Sequence, residues 1–232
     1  MLAIESLQAG YGPAQVLFDL SFRVCAGEVV TLIGRNGMGK TTGIRAIMGL
    51  IPAMAGRVTF AGETLLGQPP YRIAQAGLGL VPEGRHIFPT LTVEENLVAT
   101  AASRFGAPRW TLDKIYDLFP RLRERQSNMG HQLSGGEQQM LAISRALMTN
   151  PKLLILDEAT EGLAPRLRAE IWTCLAALKR EGQAMLIVDK HLEALIKFAD
   201  RHVVIEKGRV VWTGSSQALA CDPTVRQRFL QV

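Results

Sequence analysis

The sequence predicts an α/β protein with a mainly parallel sheet, an antiparallel β region on its N-terminal side and a helical insertion at about residues 92–150. Three observations predict it. The first third of the chain reads as successive strands between glycine-containing turns. From Thr92 to Asn150 helix-favouring stretches replace them, with no strand pattern. After Pro151, short apolar runs alternate with longer amphipathic stretches, the texture of strands joined by helical crossovers.

Taken in order, Leu2–Leu7, Val16–Val24 and Glu28–Ile33 are rich in apolar and β-branched residues and read as strands. Arg57–Phe60 is a further strand. Leu78–Val81 is a short one, stopped by Pro82, which cannot donate to a ladder. Thr41–Leu50, Val93–Arg104, Leu112–Leu118 and Gly136–Met148 are expected helices. Leu153–Leu156 and Ala184–Val188 are wholly apolar, as strands buried on both faces are. Arg166–Arg180 and Leu192–Ala199 are the helices that follow them. In the first, Leu167, Ile171, Cys174, Leu175 and Leu178 form one stripe suited to packing on a sheet. Val203–Glu206 and Val210–Thr213 flank Lys207-Gly208-Arg209 as a hairpin.

The chain's 232 residues suffice for one sizeable domain with an insertion, and one domain over 1–232 is expected. Its apolar runs are far shorter than the roughly 20 residues a membrane-spanning helix needs. The opening Met1-Leu2-Ala3-Ile4-Glu5 carries no basic leader, so a cytoplasmic protein is expected. Cys25, Cys174 and Cys221 have neither metal-ligand nor CxxC spacing and read as buried thiols in a reducing compartment. The densest basic cluster, Arg121, Arg123 and Arg125, reads as the solvated face of a helix. No nucleic-acid partner is expected.

Gly34-Arg35-Asn36-Gly37-Met38-Gly39-Lys40-Thr41 matches G-x-x-x-x-G-K-[ST], with an apolar strand before it and a helix after it. Such a loop wraps a polyphosphate with backbone N–H groups, and the helix N-terminus adds partial positive charge. Lys40 is the candidate for the β- and γ-phosphates, and the Thr41 hydroxyl for Mg²⁺, with Thr42 beside it. A plain strand–turn–helix would need glycines but not the Lys-Thr pair. By itself the loop predicts a P-loop nucleoside triphosphatase or kinase.

Leu153–Leu156 ends in Asp157-Glu158. Ligands of parallel sheets bind at the C-terminal ends of the strands, so Asp157 should face the phosphate loop as a metal ligand. Glu158 is then the candidate general base for an attacking water.

Leu133-Ser134-Gly135-Gly136-Glu137-Gln138-Gln139 precedes an expected helix. Ser134 and Glu137 make a capping box, which is reason enough for those two residues. The double glycine exceeds what capping needs and would let backbone approach a ligand. Here the chain resembles the ATP-binding cassette (ABC) superfamily, whose signature is LSGGQ where this chain has LSGGE. The resemblance implies the ABC ATPase fold and a head-to-tail pair. In that pair Ser134, Gly135, Gly136 and Glu137 of one subunit contact the γ-phosphate of ATP held by the other. It also implies that Tyr11 stacks on adenine, a contact worth roughly 1–3 kcal/mol.

The segment Val81-Pro82-Glu83-Gly84-Arg85-His86-Ile87-Phe88-Pro89-Thr90-Leu91, with Glu161-Gly162-Leu163-Ala164-Pro165, resembles branched-chain amino acid importer ATPases, and among them the smaller of the two ATPase subunits. That resemblance implies ATP and Mg²⁺ as ligands and a second ATPase subunit as partner, with a homodimer as the alternative for the chain in isolation. It further implies two transmembrane permease subunits, a periplasmic solute-binding protein acting indirectly, and a peripheral place on the cytoplasmic face of the inner membrane. Three positions depart from the wider family. Glu83 stands where a metal-touching glutamine is usual, and Ala164 where an aspartate is usual. Lys190 takes the place of the γ-phosphate-sensing histidine, with His191 one residue later; either could serve. Three other readings stand beside amino acid import: a urea or short-chain amide importer, a weakly hydrolysing regulatory subunit of an asymmetric pair, and a nucleotide-gated clamp on DNA or ribosomes. The clamp would ordinarily bring a long coiled coil or a second cassette, and this chain has neither.

Overall fold

The structure, a computed structural model, describes residues 1–230; the last two residues of the expected 1–232 domain, Gln231 and Val232, lie outside the described residues. The strands are β1 (Leu2–Tyr11), β2 (Ala14–Val24), β3 (Val29–Ile33), β4 (Ala53–Phe60), β5 (Glu63–Thr64), β6 (Leu78–Val81), β7 (Leu153–Asp157), β8 (Ala184–Val188), β9 (Arg201–Glu206) and β10 (Arg209–Ser215). The helices are α1 (Lys40–Ile47), α2 (Pro70–Gln75), α3 (Val93–Val98), α4 (Leu112–Leu118), α5 (Pro120–Glu124), α6 (Gly135–Met148), α7 (Pro165–Arg180), α8 (Leu192–Phe198), α9 (Ser216–Cys221) and α10 (Pro223–Val225).

Among the described residues the strands form one sheet in the order β5-β4-β1-β2-β10-β9-β3-β8-β7-β6. β6, β7, β8, β3 and β9 run parallel, whereas β1, β2, β4 and β5 are antiparallel. A single parallel pair, Arg209 with Asp19, joins the two regions through β10 and β2. Successive side chains of a strand point to opposite faces, and the parallel strands divide accordingly. Leu154 and Leu156 of β7, with Met185 and Ile187 of β8, pack into the core shared with α6 and α7. Leu153, Ile155, Ala184, Leu186 and Val188 pack into the opposite core, shared with α1, β1 and β2. Burial on both faces is why these strands carry no polar alternation.

The expected parallel sheet, antiparallel N-terminal region and helical segment between β6 and β7 are all present, with shifted ends. The helix expected over Thr41–Leu50 stops at Ile47. Gly49 has a left-handed φ of +67° and its N–H bonds back to the Ala46 carbonyl, closing the helix. The helix expected over Val93–Arg104 stops at Val98. There the Thr100 hydroxyl bonds the Leu97 and Arg145 carbonyls, and the Ala102 N–H bonds the Met148 carbonyl, so tertiary partners replace the next helical turn. β1 and β4 outrun their expected lengths because each is paired along its edge. The β9–β10 turn holds Lys207 and Gly208 both at positive φ, as a two-residue hairpin loop requires.

The expectation of three buried thiols is corrected: Cys174 is buried, but Cys25 and Cys221 are exposed. Cys25 begins the turn between β2 and β3, and Cys221 ends α9, both outside the cores. Arg121 and Arg123 are ion-paired with Glu170 and Asp117 at 3.1 Å, and Arg125 lies 3.9 Å from Glu137.

Candidate active site

The parallel strands deliver the site. β6, β7, β8 and β3 are neighbours that point the same way, so the residues that end or follow each strand meet at one edge of the sheet. Those residues are Glu83, Asp157 and Glu158, Lys190 and His191, and the phosphate loop. Ligands of such sheets bind at this edge.

The loop's shape comes from its glycines. Gly39 has φ of +103° at the N-cap of α1, and its side offers no room: a Cβ there would stand 2.9 Å from Leu17 Cδ2. At Gly34 a Cβ would stand 2.3 Å from the Ile205 carbonyl oxygen of β9. The loop is further pinned by the Gly208 N–H, which bonds the Met38 carbonyl at 3.0 Å. No side chain caps α1 and its first turn carries no acidic residue, which suits a bound anion. Arg35, Asn36 and Gly37 are exposed, whereas Lys40 and Thr42 are buried. Lys40 Nζ folds into the loop, donating to the Gly34 carbonyl at 2.8 Å and the Arg35 carbonyl at 2.9 Å. Burial lowers its pKa, while Glu158 and Asp157 oppose the shift.

Asp157 is buried, and the Thr41 hydroxyl donates to its Oδ1 at 3.3 Å. Burial raises the Asp157 pKa, the Thr41 bond works against that, and Glu83 adds to it. Thr41, Glu83 and Asp157 line one cavity of about 230 Å³ beside α1. Their donor set is all oxygen, the set a hard divalent cation prefers.

Glu158 takes φ of +50°, with its N–H bonded to the Val188 carbonyl at 2.8 Å. A side chain in the left-handed region costs roughly 1–3 kcal/mol, and such strain clusters where geometry matters. Glu158 is pushed up to about 7, first by burial and then by the neighbouring Glu161 carboxylate, against the pull of Lys190. Lys190 Nζ lies 3.2 Å from Glu158 Oε2 and also bonds Glu161. His191 lines one cavity with Lys190 and the phosphate loop, and its Nδ1 lies 2.7 Å from Asp189 Oδ1 and 3.3 Å from the Thr160 hydroxyl. Thr160 in turn donates to Asp189 at 2.5 Å.

Glu161, Thr160 and Asp189 were not among the sequence candidates. Asp189 could have been suspected from its place directly after β8. Glu161 carried no such sign, because its meeting with Lys190 depends on the turn that Glu158 makes.

Tyr11 stands exposed at the end of β1, its hydroxyl accepting from Arg45 of α1 at 3.3 Å. The remaining candidates are not brought to this cluster. Ser134 caps α6, with Glu137 N–H bonded to its hydroxyl at 3.4 Å and Ser134 N–H bonded to Glu137 Oε2 at 2.8 Å. Among the described residues, the side-chain hydrogen bonds and ion pairs of Ser134 and Glu137 reach one another and Arg125, not the phosphate loop. The double glycine also has a reason the sequence did not reveal. A Cβ on Gly136 would stand 2.4 Å from Leu167 Cδ1, so this glycine lets α6 and α7 approach.

The described residues contain no helix long and apolar enough to cross a membrane. The model of the ABC transporter family matches residues 17–161. The chain is 43% identical to the high-affinity branched-chain amino acid transport ATP-binding protein BraG of Pseudomonas aeruginosa, over 99% of each. It is 31% identical to the probable branched-chain amino acid transport ATP-binding protein LivF of Archaeoglobus fulgidus, over 94% of each. Its fold matches a solved ATP-binding subunit of an ABC transporter with a TM-score of 0.85 at 29% identity, covering 100% of this chain and 96% of the other.

Proposed function

Since this chain belongs to the ABC transporter family as one of its ATPases, we propose that it energises an importer of branched-chain or other hydrophobic amino acids. The observation that carries the substrate class is its full-length similarity to BraG. Its partners are a second ATPase subunit and two membrane permease subunits fed by a periplasmic binding protein, and its place is the cytoplasmic face of the inner membrane. The 92–150 segment is the helical arm of a single ATPase domain.

The site residues support a division of labour. Lys40 is held in the loop by two carbonyls and exchanges them for the β- and γ-phosphates of ATP. Thr41 and Asp157, with Glu83 across their cavity, would hold Mg²⁺, which neutralises phosphate charge when bound. Tyr11 is exposed and available to stack on adenine. In hydrolysis the water oxygen bonds to the γ-phosphorus as the bridging P–O bond to ADP breaks, and Glu158 takes the water proton. A burial-raised carboxylate suits a group that must accept a proton. Lys190 stands beside Glu158 and serves the γ-phosphate, while His191, held at Nδ1 by Asp189 and Thr160, lines the same cavity. Ser134, Gly135, Gly136 and Glu137 form a separate surface in the lone subunit, which suits a signature acting on the ATP of a partner.

The test is uptake. The complex purified through a tag on this chain, reconstituted with its binding protein in proteoliposomes loaded with ATP, should accumulate labelled leucine. Accumulation of urea or a short-chain amide in place of leucine would reject the substrate class. Recovery of this chain from membranes without a permease would reject the importer reading.

A further inference from the structure

Three carboxylates crowd the end of β7 around one exposed ammonium. One carboxylate oxygen each from Glu83, Glu158 and Glu161 lie within 4.8 Å of one another. Lys190 Nζ reaches two of them, Glu158 at 3.2 Å and Glu161 in the shorter bond. The two acceptors differ in setting: the Glu158 side chain is 11% exposed, and that of Glu161 is 42% exposed. A tight turn sets their spacing, with the Glu161 N–H bonded to the Glu158 carbonyl at 3.1 Å and Glu158 itself left-handed.

An ammonium held only by Glu158 would keep the base's lone pairs occupied and its charge cancelled. A second acceptor on the solvent side offers that ammonium another partner at little desolvation cost. We propose that Glu161 is a positioning residue that draws the Lys190 ammonium off Glu158, leaving Glu158 open to the attacking water while Lys190 stays beside the phosphate loop. Lys190 lines a cavity of about 620 Å³ with Gly34, Arg35 and Asn36, so it can shift between its acceptors without leaving the nucleotide's side of the site.

The inference rests on Glu158 being the base, and the experiment separates the two. Steady-state ATPase is measured on the purified complex carrying Glu161→Gln, Glu161→Asp, Lys190→Ala, Glu161→Gln with Lys190→Ala, and Glu158→Gln. Glu161→Gln should lower kcat by about tenfold while leaving KM for ATP within about twofold, because positioning of a reacting group is lost and nucleotide contacts are kept. Glu161→Asp should restore most of kcat. With Lys190 removed, Glu161→Gln should have no further effect, since its target is gone. Unchanged kcat in Glu161→Gln, a rise in KM at constant kcat, or strict additivity with Lys190→Ala would each overturn the proposal. If Glu158→Gln hydrolyses ATP normally, the base assignment itself falls; if it is inactive while Glu161→Gln is normal, only the role of Glu161 falls.

Discussion

Glu158 and Lys40 carry opposite demands within one small volume. Burial and the neighbouring Glu161 push Glu158 towards its protonated form, while burial lowers Lys40 against the opposing pull of Glu158 and Asp157, with two carbonyls accepting from its ammonium. Glu158→Gln preserves the shape and removes the proposed proton acceptor. It should retain ATP binding, measured with a fluorescent analogue, and lose about 10² or more of turnover. Wild-type turnover in that variant would remove Glu158 from the mechanism. Lys40→Ala deletes the ammonium that, in the proposed function, would make charge-assisted hydrogen bonds to phosphate. Nucleotide Kd should rise by about tenfold to a hundredfold; an unchanged Kd would contradict the role given to this lysine.

At the scale of elements, the segment between β6 and α3 is tied down by one buried amide. Asn96 of α3 accepts from Phe88 N–H at 2.9 Å and donates to the carbonyls of Phe88 at 2.9 Å, Leu91 at 3.1 Å and Thr92 at 2.9 Å. Arg145 of α6 adds a hydrogen bond to the His86 carbonyl at 2.6 Å, with its guanidinium 4.0 Å from the centre of the Phe88 ring. The loop after Glu83 is thereby joined to the helical segment rather than left free. Asn96→Ala would remove the acceptor of the part-buried Phe88 N–H and one donor from each of three carbonyls, and should cost about 1–3 kcal/mol, read as a lower urea midpoint. It should also lower transport-coupled ATPase more than the chain's own nucleotide affinity. A midpoint equal to wild type would show that the amide does not anchor this loop.

Across the whole molecule, one buried histidine links the sheet to acid stability. His202 of β9 is fully buried, bonded to the Thr31 hydroxyl of β3 at 2.6 Å and to the Ser216 hydroxyl at 2.9 Å. Burial lowers its pKa to about 4. In the unfolded chain a histidine titrates near pH 6.5. Between those values the unfolded state binds the extra proton, so the stability present above about pH 6.5 is lost as the pH falls towards 4. The loss should amount to roughly 3 kcal/mol across that interval, read from urea unfolding at a series of pH values. His202→Asn should flatten that part of the profile; the same slope in the variant would assign the effect to other groups.

Residues 34–41, 133–139 and 153–158 disclosed the family because their chemistry is local. A phosphate loop, a capped helix start and a buried strand ending in carboxylates each need particular residues at fixed spacing. The sheet was equally legible, since burial on both faces leaves unbroken apolar runs such as Leu153–Leu156. The choice between Lys190 and His191 was not, and neither was Glu161. Both depend on side chains far apart along the chain, Glu158 and Glu161 with Lys190 and Thr160 with His191, meeting at the ends of β7 and β8 under a left-handed turn that no propensity announces. Helix ends at Ile47 and Val98 and the exposure of Cys25 and Cys221 likewise follow from partners far along the chain or from the margin of the cores. Sequence determined which chemical groups this protein carries and on which elements. Tertiary structure alone decided which groups share one ammonium, because Coulomb and hydrogen-bond energies depend on separations in space that spacing along a chain does not contain.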